Sequence, residues 1–473
     1  MKTFLACMLL VAATRSEAVS PADHIAVMER AVSPLVVIKG EIHAPVSLVQ
    51  RMDQLKVPAV SIAVVNGGRI EWARAYGYAD KQSGIRATPD TLFQAGSISK
   101  PIAALAALRL VQQGKLNLDA NVNDELKSWR LPDNQFTTEH KVTLRNILNH
   151  TAGTTVWGFP GYARTVKVPS VLDVLNGRGN TEAIRVWKVP GQSWRYSGGG
   201  YTIMQLMLSD VSAQRFPALM AETVLKPLGM SSSTYEQPLP IKWQARAASG
   251  YDSAGVKVPG GWHVYPEMAA AGLWTTASDL ARYLIEVQRS YRGMGQILNR
   301  TMTTEMLTPG MNNHGLGPII SADGIRFGHS GADDGFQADV TAFLDGTAGI
   351  AIMTNSDNGG RLAQELEITI GRIYGWPGMA PLEKSVVTLA PAALRRFAGT
   401  YKFTDGRGSI TIHVDNGDLV ISNVGGGQPD VRLAPESDLK FFDRDSGFPI
   451  VFTLEGKSAS VTVREDARAV RQD

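Results

Sequence analysis

The sequence predicts an α+β fold: one antiparallel sheet flanked by helices, with a small all-β domain after it. Three observations predict it. A strand pair lies early, at residues 59–79, and a second strand region lies late, at 327–356. The patterns between them are helical, so a single sheet is closed by both ends of the segment. After about residue 380 the helical patterns stop and short alternating strands take over.

The elements follow in order. "AVSIAVV" (59–65) and "RIEWARAYGYA" (69–79) flank Asn66-Gly67-Gly68, a strong tight-turn signal. A helix starts near residue 98; Ile102 to Val111 is apolar nearly all round, which places it in the interior, and Gly114 closes it. "TLRNILNHTAG" (143–153) reads as a short amphipathic helix closed by Gly153. Residues 154–195 are rich in Gly, Pro, Thr and aromatics and read as surface loops. "YTIMQLMLSDVSA" (201–213) and "TASDLARYLIEVQRS" (276–290) are further helices, the second capped by Thr276 or Ser278. The stretch 327–356 is expected to hold two strands joined around Asp345-Gly346. Beyond it, "SITIHV" (409–414), "DLVIS" (418–422), "IVFTLEG" (450–456) and "ASVTVRE" (459–465) make up the all-β domain, residues 390–473.

Hydrophobic residues are 44% and charged residues 19%, enough apolar material for a large core and too ordered a composition for disorder. The net charge of +3 is small for 473 residues and gives no reason to expect a nucleic-acid partner. The N-terminus reads as a signal peptide: Lys2, an apolar run Phe4 to Ala13, and Ser16-Glu17-Ala18 at the cleavage position. Residues 1–18 would be removed and residues 19–385 would form the main domain of an exported, periplasmic or secreted protein. Cys7 is the only cysteine, so the mature chain would carry no disulfide and no thiol nucleophile. A lipid anchor at Cys7 is the competing reading, but the apolar run before it is too short. No later segment is long and apolar enough to span a bilayer.

One helix mouth holds a puzzle. In "FQAGSISKPIAALAALRL" the first turn carries Ser97 and Lys100 and is followed by Pro101. Ser-x-x-Lys alone is a weak signal, and a capping serine beside a solvated lysine is the plain alternative. Against that, the run after Lys100 is apolar enough to bury its ammonium, and a cation sits poorly at a helix N-terminus. Pro101 fixes the helix start, which puts hydroxyl and amine on one face. Partial burial lowers a lysine pKa and lets the amine accept a serine proton.

Taken together, the motifs resemble those of the penicillin-recognising serine hydrolases: class C β-lactamases, D-alanyl-D-alanine peptidases, D-aminopeptidases and related esterases. Ser97-Ile98-Ser99-Lys100 comes first. Tyr196-Ser197-Gly198 in "RYSGGGYTIMQ" stands in the place of Tyr-x-Asn, and His329-Ser330-Gly331 in that of Lys-Thr-Gly or His-x-Gly. "ILNHTAG", "VLKPLGMSSSTY", "AAGLWTTASDLARYL" and "HSGADDGF" agree with the family's framework, over about residues 45–375. "FAGTY" (397–401) opens a stretch that resembles the lipocalin-like domain appended in some members.

The resemblance implies a β-lactamase/transpeptidase-like fold, with an all-helical subdomain beside the sheet. It also implies roles. Ser97 would be acylated, and Lys100 and Tyr196 would share the base work, in an order the sequence leaves open. His329, with Ser330 and Gly331, would bind a substrate carboxylate or pass a proton. The N–H groups of Ser97 and Ala332 would form the oxyanion hole. Trp157, Phe159 and Tyr162, in the loop Thr154 to Tyr162, are expected to wall the site and to favour an apolar or aromatic substrate group. Gly198 in place of asparagine and His329 in place of lysine imply altered substrate selection, toward D-amino-acid peptidase-like or esterase-like activity on a small-molecule or peptide substrate. A β-lactamase, or a non-catalytic penicillin-binding or structural relative, is the alternative. No metal motif and no cofactor signature is present in the sequence, so none is expected. His150 reads as a structural histidine bonding a carbonyl, and His263 is left open.

Overall fold

A computed structural model describes residues 20–42, 44–404, 408–422, 430–455, 458–463 and 467–472. The signal-peptide reading, Cys7 included, lies outside them. The main sheet has seven antiparallel strands. Their order is Ile85–Arg86, Arg69–Asp80, Ala59–Asn66, Ala348–Thr354, Phe336–Phe343, Arg326–Asp333 and Ile319–Ile320. Ala59–Asn66 pairs with Ala348–Thr354, so the early and late parts of the chain meet at the sheet's centre.

Both of those central strands are apolar on both faces, and the packing shows why. Ala63, Val65, Ala351 and Met353 face the core that holds Leu280 and Leu284 of the helix Ala277–Tyr291. Val60, Ile62, Val64, Ile350 and Ile352 face the other way, onto Ile25 and Met28 of Pro21–Arg30 and Leu366 and Ile370 of Gly359–Ile373. A sheet covered on both sides needs no polar face. The helix Ser99–Gln112 is buried from Ser99 to Leu108 and belongs to the larger core, as its apolar circumference predicts.

Residues 327–356 hold three strands, not the two expected: Arg326–Asp333, Phe336–Phe343 and Ala348–Thr354. Asp334-Gly335 makes a second tight turn, with Gly335 at φ +77°. Two helix ends also differ from expectation. The helix Leu144–Leu148 is stopped by His150 at φ +61° rather than by Gly153. The helix expected from residue 201 spans Gly198–Ser212, so the three glycines form its first turn, capped by the Ser197 hydroxyl. Loops dominate 154–195, with one short helix, Val171–Leu175.

The C-terminal strands from Gly399–Phe403 to Ala467–Arg471 close an eight-stranded antiparallel barrel, the last strand pairing with the first. Phe397, Tyr401, Leu433, Phe441 and Phe452 fill its interior. The barrel leans on the main domain through a small apolar cluster of Val36, Ile38, Ala434 and Phe442 and through the Arg361–Asp445 ion pair.

Candidate active site

Ser97 sits in a single 3₁₀ turn, Gly96–Ile98, that runs straight into the helix Ser99–Gln112. Two glycines allow the edge strand Arg326–Asp333 to press against this turn. A Cβ at Gly96, whose φ is +51°, would lie 2.4 Å from the Ala332 nitrogen. A Cβ at Gly331 would lie 2.0 Å from the Ala95 oxygen and 3.0 Å from the Ser97 nitrogen. No side chain fits at either position. The seam draws together the backbone nitrogens of Ser97 and Ala332, the pair expected to form the oxyanion hole.

Lys100 is 2% exposed, so the sequence-based expectation that it is buried holds. Its Nζ donates to Ser97 Oγ at 2.9 Å and to the Ala270 carbonyl at 2.8 Å. Burial pulls the amine down to about 7, with the nearby Asp333 pulling weakly the other way. Asp333 is itself pushed well above the usual carboxylate range by burial. Burial likewise pushes Glu267 up to about 8. Asp333 was not legible as a neighbour of Lys100, because it reaches the lysine only through the fold.

Tyr196 lies over Lys100, whose Nζ is 4.8 Å from the ring centroid. The Ser97 hydroxyl is within hydrogen-bonding reach of the phenol. Burial holds that phenol well above its ordinary range, and the serine contact only partly offsets this. Ser97, Lys100 and Tyr196 therefore meet, although nearly 100 residues separate the helix mouth from the tyrosine.

Three buried histidines surround Tyr196. The His150 ring stacks at 4.2 Å, and those of His329 and His314 lie 6.2 and 6.4 Å away. His150 corrects its sequence reading: Nδ1 accepts the Ser197 N–H at 3.2 Å instead of bonding a carbonyl. It thereby ties the Tyr196 segment to the end of the helix Leu144–Leu148. Replacing His150 with alanine removes the stack and strands a buried N–H. The expected loss is about 2–4 kcal/mol of stability, read by urea unfolding, with a fall in kcat as Tyr196 loosens. His314 was missed, since "NNHGLG" carries no signal of its own.

His329 Nδ1 contacts the Ser330 carbonyl at 2.5 Å, so that nitrogen carries the proton and Nε2 presents only a lone pair. Burial, then the Lys100 charge, hold the ring down to about 3. That burial disfavours the charged ring that would bind a substrate carboxylate; the other expected role, passing a proton, needs only the neutral ring. Ser330 is exposed while His329 and Gly331 are buried, so strand alternation turns its side chain to the opposite face.

Of the expected wall, Trp157 is exposed and its ring lies 5.5 Å from Tyr196. Phe159 is half-buried against Gly198. Tyr162 does not join them. It is buried, and its hydroxyl accepts the Asn180 N–H at 3.0 Å, so it braces the loop instead. His263, left open by the sequence, bridges Pro160 O at 2.9 Å and the Asp334 carboxylate at 3.3 Å. It links the wall loop to the turn beyond Ala332. Among the described residues no group of three or more His, Cys, Asp or Glu is arranged to hold a metal ion, and no helix is long and apolar enough to cross a membrane.

Comparisons with known proteins show the family and the fold. The Beta-lactamase family model matches residues 47–373. Protein flp of Staphylococcus aureus (strain N315) is 24% identical over 320 residues, 63% of this chain and 60% of that protein. The chain thus spans about 60% of the length of that relative. Penicillin-binding protein 4* of Bacillus subtilis (strain 168) is 23% identical over 86% of this chain and 92% of its own. Among solved structures, the octameric penicillin-binding protein homologue from Pyrococcus abyssi aligns with a TM-score of 0.61 at 23% identity, over 90% of this chain and 98% of that one. The D-amino acid amidase from Ochrobactrum anthropi SV3 aligns with a TM-score of 0.54 at 22% identity, over 69% and 95%. These two speak to the fold. With its family match covering more than half its length and running from before the Ser97 turn to beyond the edge strand, the chain belongs to the beta-lactamase family of serine hydrolases.

Proposed function

We propose that the chain is an exported acyl-transfer hydrolase that forms an acyl-Ser97 intermediate on uncharged ester or amide substrates, including amides of short peptides. One observation carries the reading: a buried lysine, pulled down to about 7, with its Nζ 2.9 Å from the serine oxygen. In its neutral form, which becomes the major one as pH rises past about 7, Lys100 takes the Ser97 proton as Oγ attacks the carbonyl carbon. The oxyanion forms against the Ser97 and Ala332 N–H groups. Tyr196, held as a phenol, gives its proton to the leaving group and regains one from Lys100. Water then repeats the sequence to release the acid.

The neutral His329 supports uncharged substrates, because it supplies no cation for a terminal carboxylate. Acylation should accordingly rise with pH through about 7, tenfold per unit below it and flat above. Stopped-flow acylation by one ester from pH 5 to 9 reads this.

The reading itself is tested by intact mass of residues 19–473 after brief mixing with a small activated ester and with benzylpenicillin, beside Ser97→Ala. An adduct in the wild type that is absent in Ser97→Ala supports the acyl-enzyme. No adduct and no turnover with either reagent contradicts it. Which reagent leaves the longer-lived adduct separates an esterase from a penicillin-recogniser.

A further inference from the structure

The wall loop and the glycine turn are built for each other. Gly198 N–H donates to Trp157 O at 2.9 Å, and Gly199 N–H donates to Val156 O at 3.1 Å. The Ser197 hydroxyl accepts from Thr154 Oγ at 2.9 Å and contacts the Thr155 and Val156 carbonyls at 2.9 and 3.1 Å. Val156 holds φ +63°, a conformation β-branched residues avoid. A Cβ at Gly199 would lie 2.6 Å from the Thr155 oxygen, so the loop lies directly on the first turn of Gly198–Ser212. At Gly198 the obstacle is different. A Cβ there would meet Phe159 Cε2 at 2.9 Å and Cδ2 at 3.3 Å. The Phe159 ring thus fills the space into which a side chain at 198 would grow, two residues from Tyr196.

We infer that Phe159, seated on Gly198 with Trp157 beside Tyr196, is the residue that sets substrate class, and that the substrate carries a flat apolar acyl group, such as an arylacetyl group, beside its scissile carbonyl. The inference rests on the hydrolase reading above and names its substrate. The ring is half-buried, with its Cδ2–Cε2 edge against Gly198. Position 198 contributes no polar side chain, and the Gly198 and Gly199 N–H groups are already taken by the loop. An acyl group reaching past Tyr196 therefore meets aromatic faces and finds no donor from this turn. Aromatic stacking of one ring is worth about tenfold in rate.

The test compares kcat/KM for phenylacetyl and acetyl esters of one small leaving group. It uses the wild type, Phe159→Ala, Phe159→Leu and Gly198→Ala. The wild type should favour phenylacetyl by about tenfold or more. Phe159→Ala should cut that ratio by about tenfold, and Phe159→Leu, which keeps the loop filled, by less. Gly198→Ala leaves the ring intact but pushes it out of place, so its ratio should fall too. A thermal-melt cycle reads the packing without catalysis: Gly198→Ala should lower Tm, and less so when Phe159 is already alanine. A phenylacetyl preference that stays within twofold in Phe159→Ala and in Gly198→Ala overturns the inference while leaving the hydrolase standing. A wild type that forms no acyl adduct overturns the hydrolase reading and this substrate class with it.

Discussion

Replacing Lys100 with methionine should lower kcat/KM by about 10³ or more and, at the same time, raise the melting temperature at pH 6. The two effects share one cause. Methionine fills the same space but has no nitrogen to take the Ser97 proton. The stability effect follows from linkage. The amine titrates near 7 in the folded protein and near 10.5 when unfolded, so between those values the unfolded chain binds more protons. Below pH 7 the folded state must hold a buried ammonium, a penalty on the order of 5 kcal/mol at most. That penalty fades as pH rises from 7 toward 10.5. The methionine variant escapes it, less the hydrogen bonds lost by Ser97 Oγ and the Ala270 carbonyl, each worth about 1 kcal/mol. Its advantage in melts should be largest at pH 6 and shrink steadily toward pH 10. A variant that is inactive but no more stable at pH 6 than at pH 9 would show that Lys100 is not held deprotonated by burial.

Replacing Tyr196 with phenylalanine should give a second large effect, and one that depends on the leaving group. A phenol held above its ordinary range stays protonated at neutral pH, so it has a proton to give and no free base to take one. Its loss should cost about 10²–10⁴ in kcat/KM for an amide or alkyl ester, whose leaving group needs a proton. A nitrophenyl ester, which leaves as an anion, should lose less than about tenfold from proton transfer. The ring remains, so the His150 stack and the Lys100 contact remain with it. Equal losses on both kinds of substrate would instead make Tyr196 the base for Ser97.

The meeting of Ser97, Lys100 and Tyr196 was legible because each carries a local signal: a helix start pinned by Pro101, a lysine in an apolar run, a tyrosine before three glycines. The sheet was legible from its apolar strands, but the turn at Asp334-Gly335 was read through, even though Asp-Gly is itself a hairpin signal. The start of the helix at Gly198 was hidden for a physical reason. Three glycines are poor helix formers, and only the contact with residues 154–157 makes them helical. The pairing of Phe159 with Gly198 has the same origin: each residue explains the other, and nothing in the local sequence of either does. The protonation states of Lys100, Asp333 and His329 also depend on distant neighbours. Motif spacing could name His329, but only the fold shows that its Nδ1 is taken by the Ser330 carbonyl. Tyr162 shared the composition of the wall and lost its place to a bond with Asn180.

Activation of Ser97 rests on a lysine that burial keeps neutral. The direct measurement is an NMR titration of the Lys100 side chain in protein carrying isotope-labelled lysine, with the resonance assigned by its absence in Lys100→Met. The account predicts a midpoint near pH 7, far from the other lysines. A midpoint near 10, with the side chain charged throughout the range where the enzyme acylates, would contradict it.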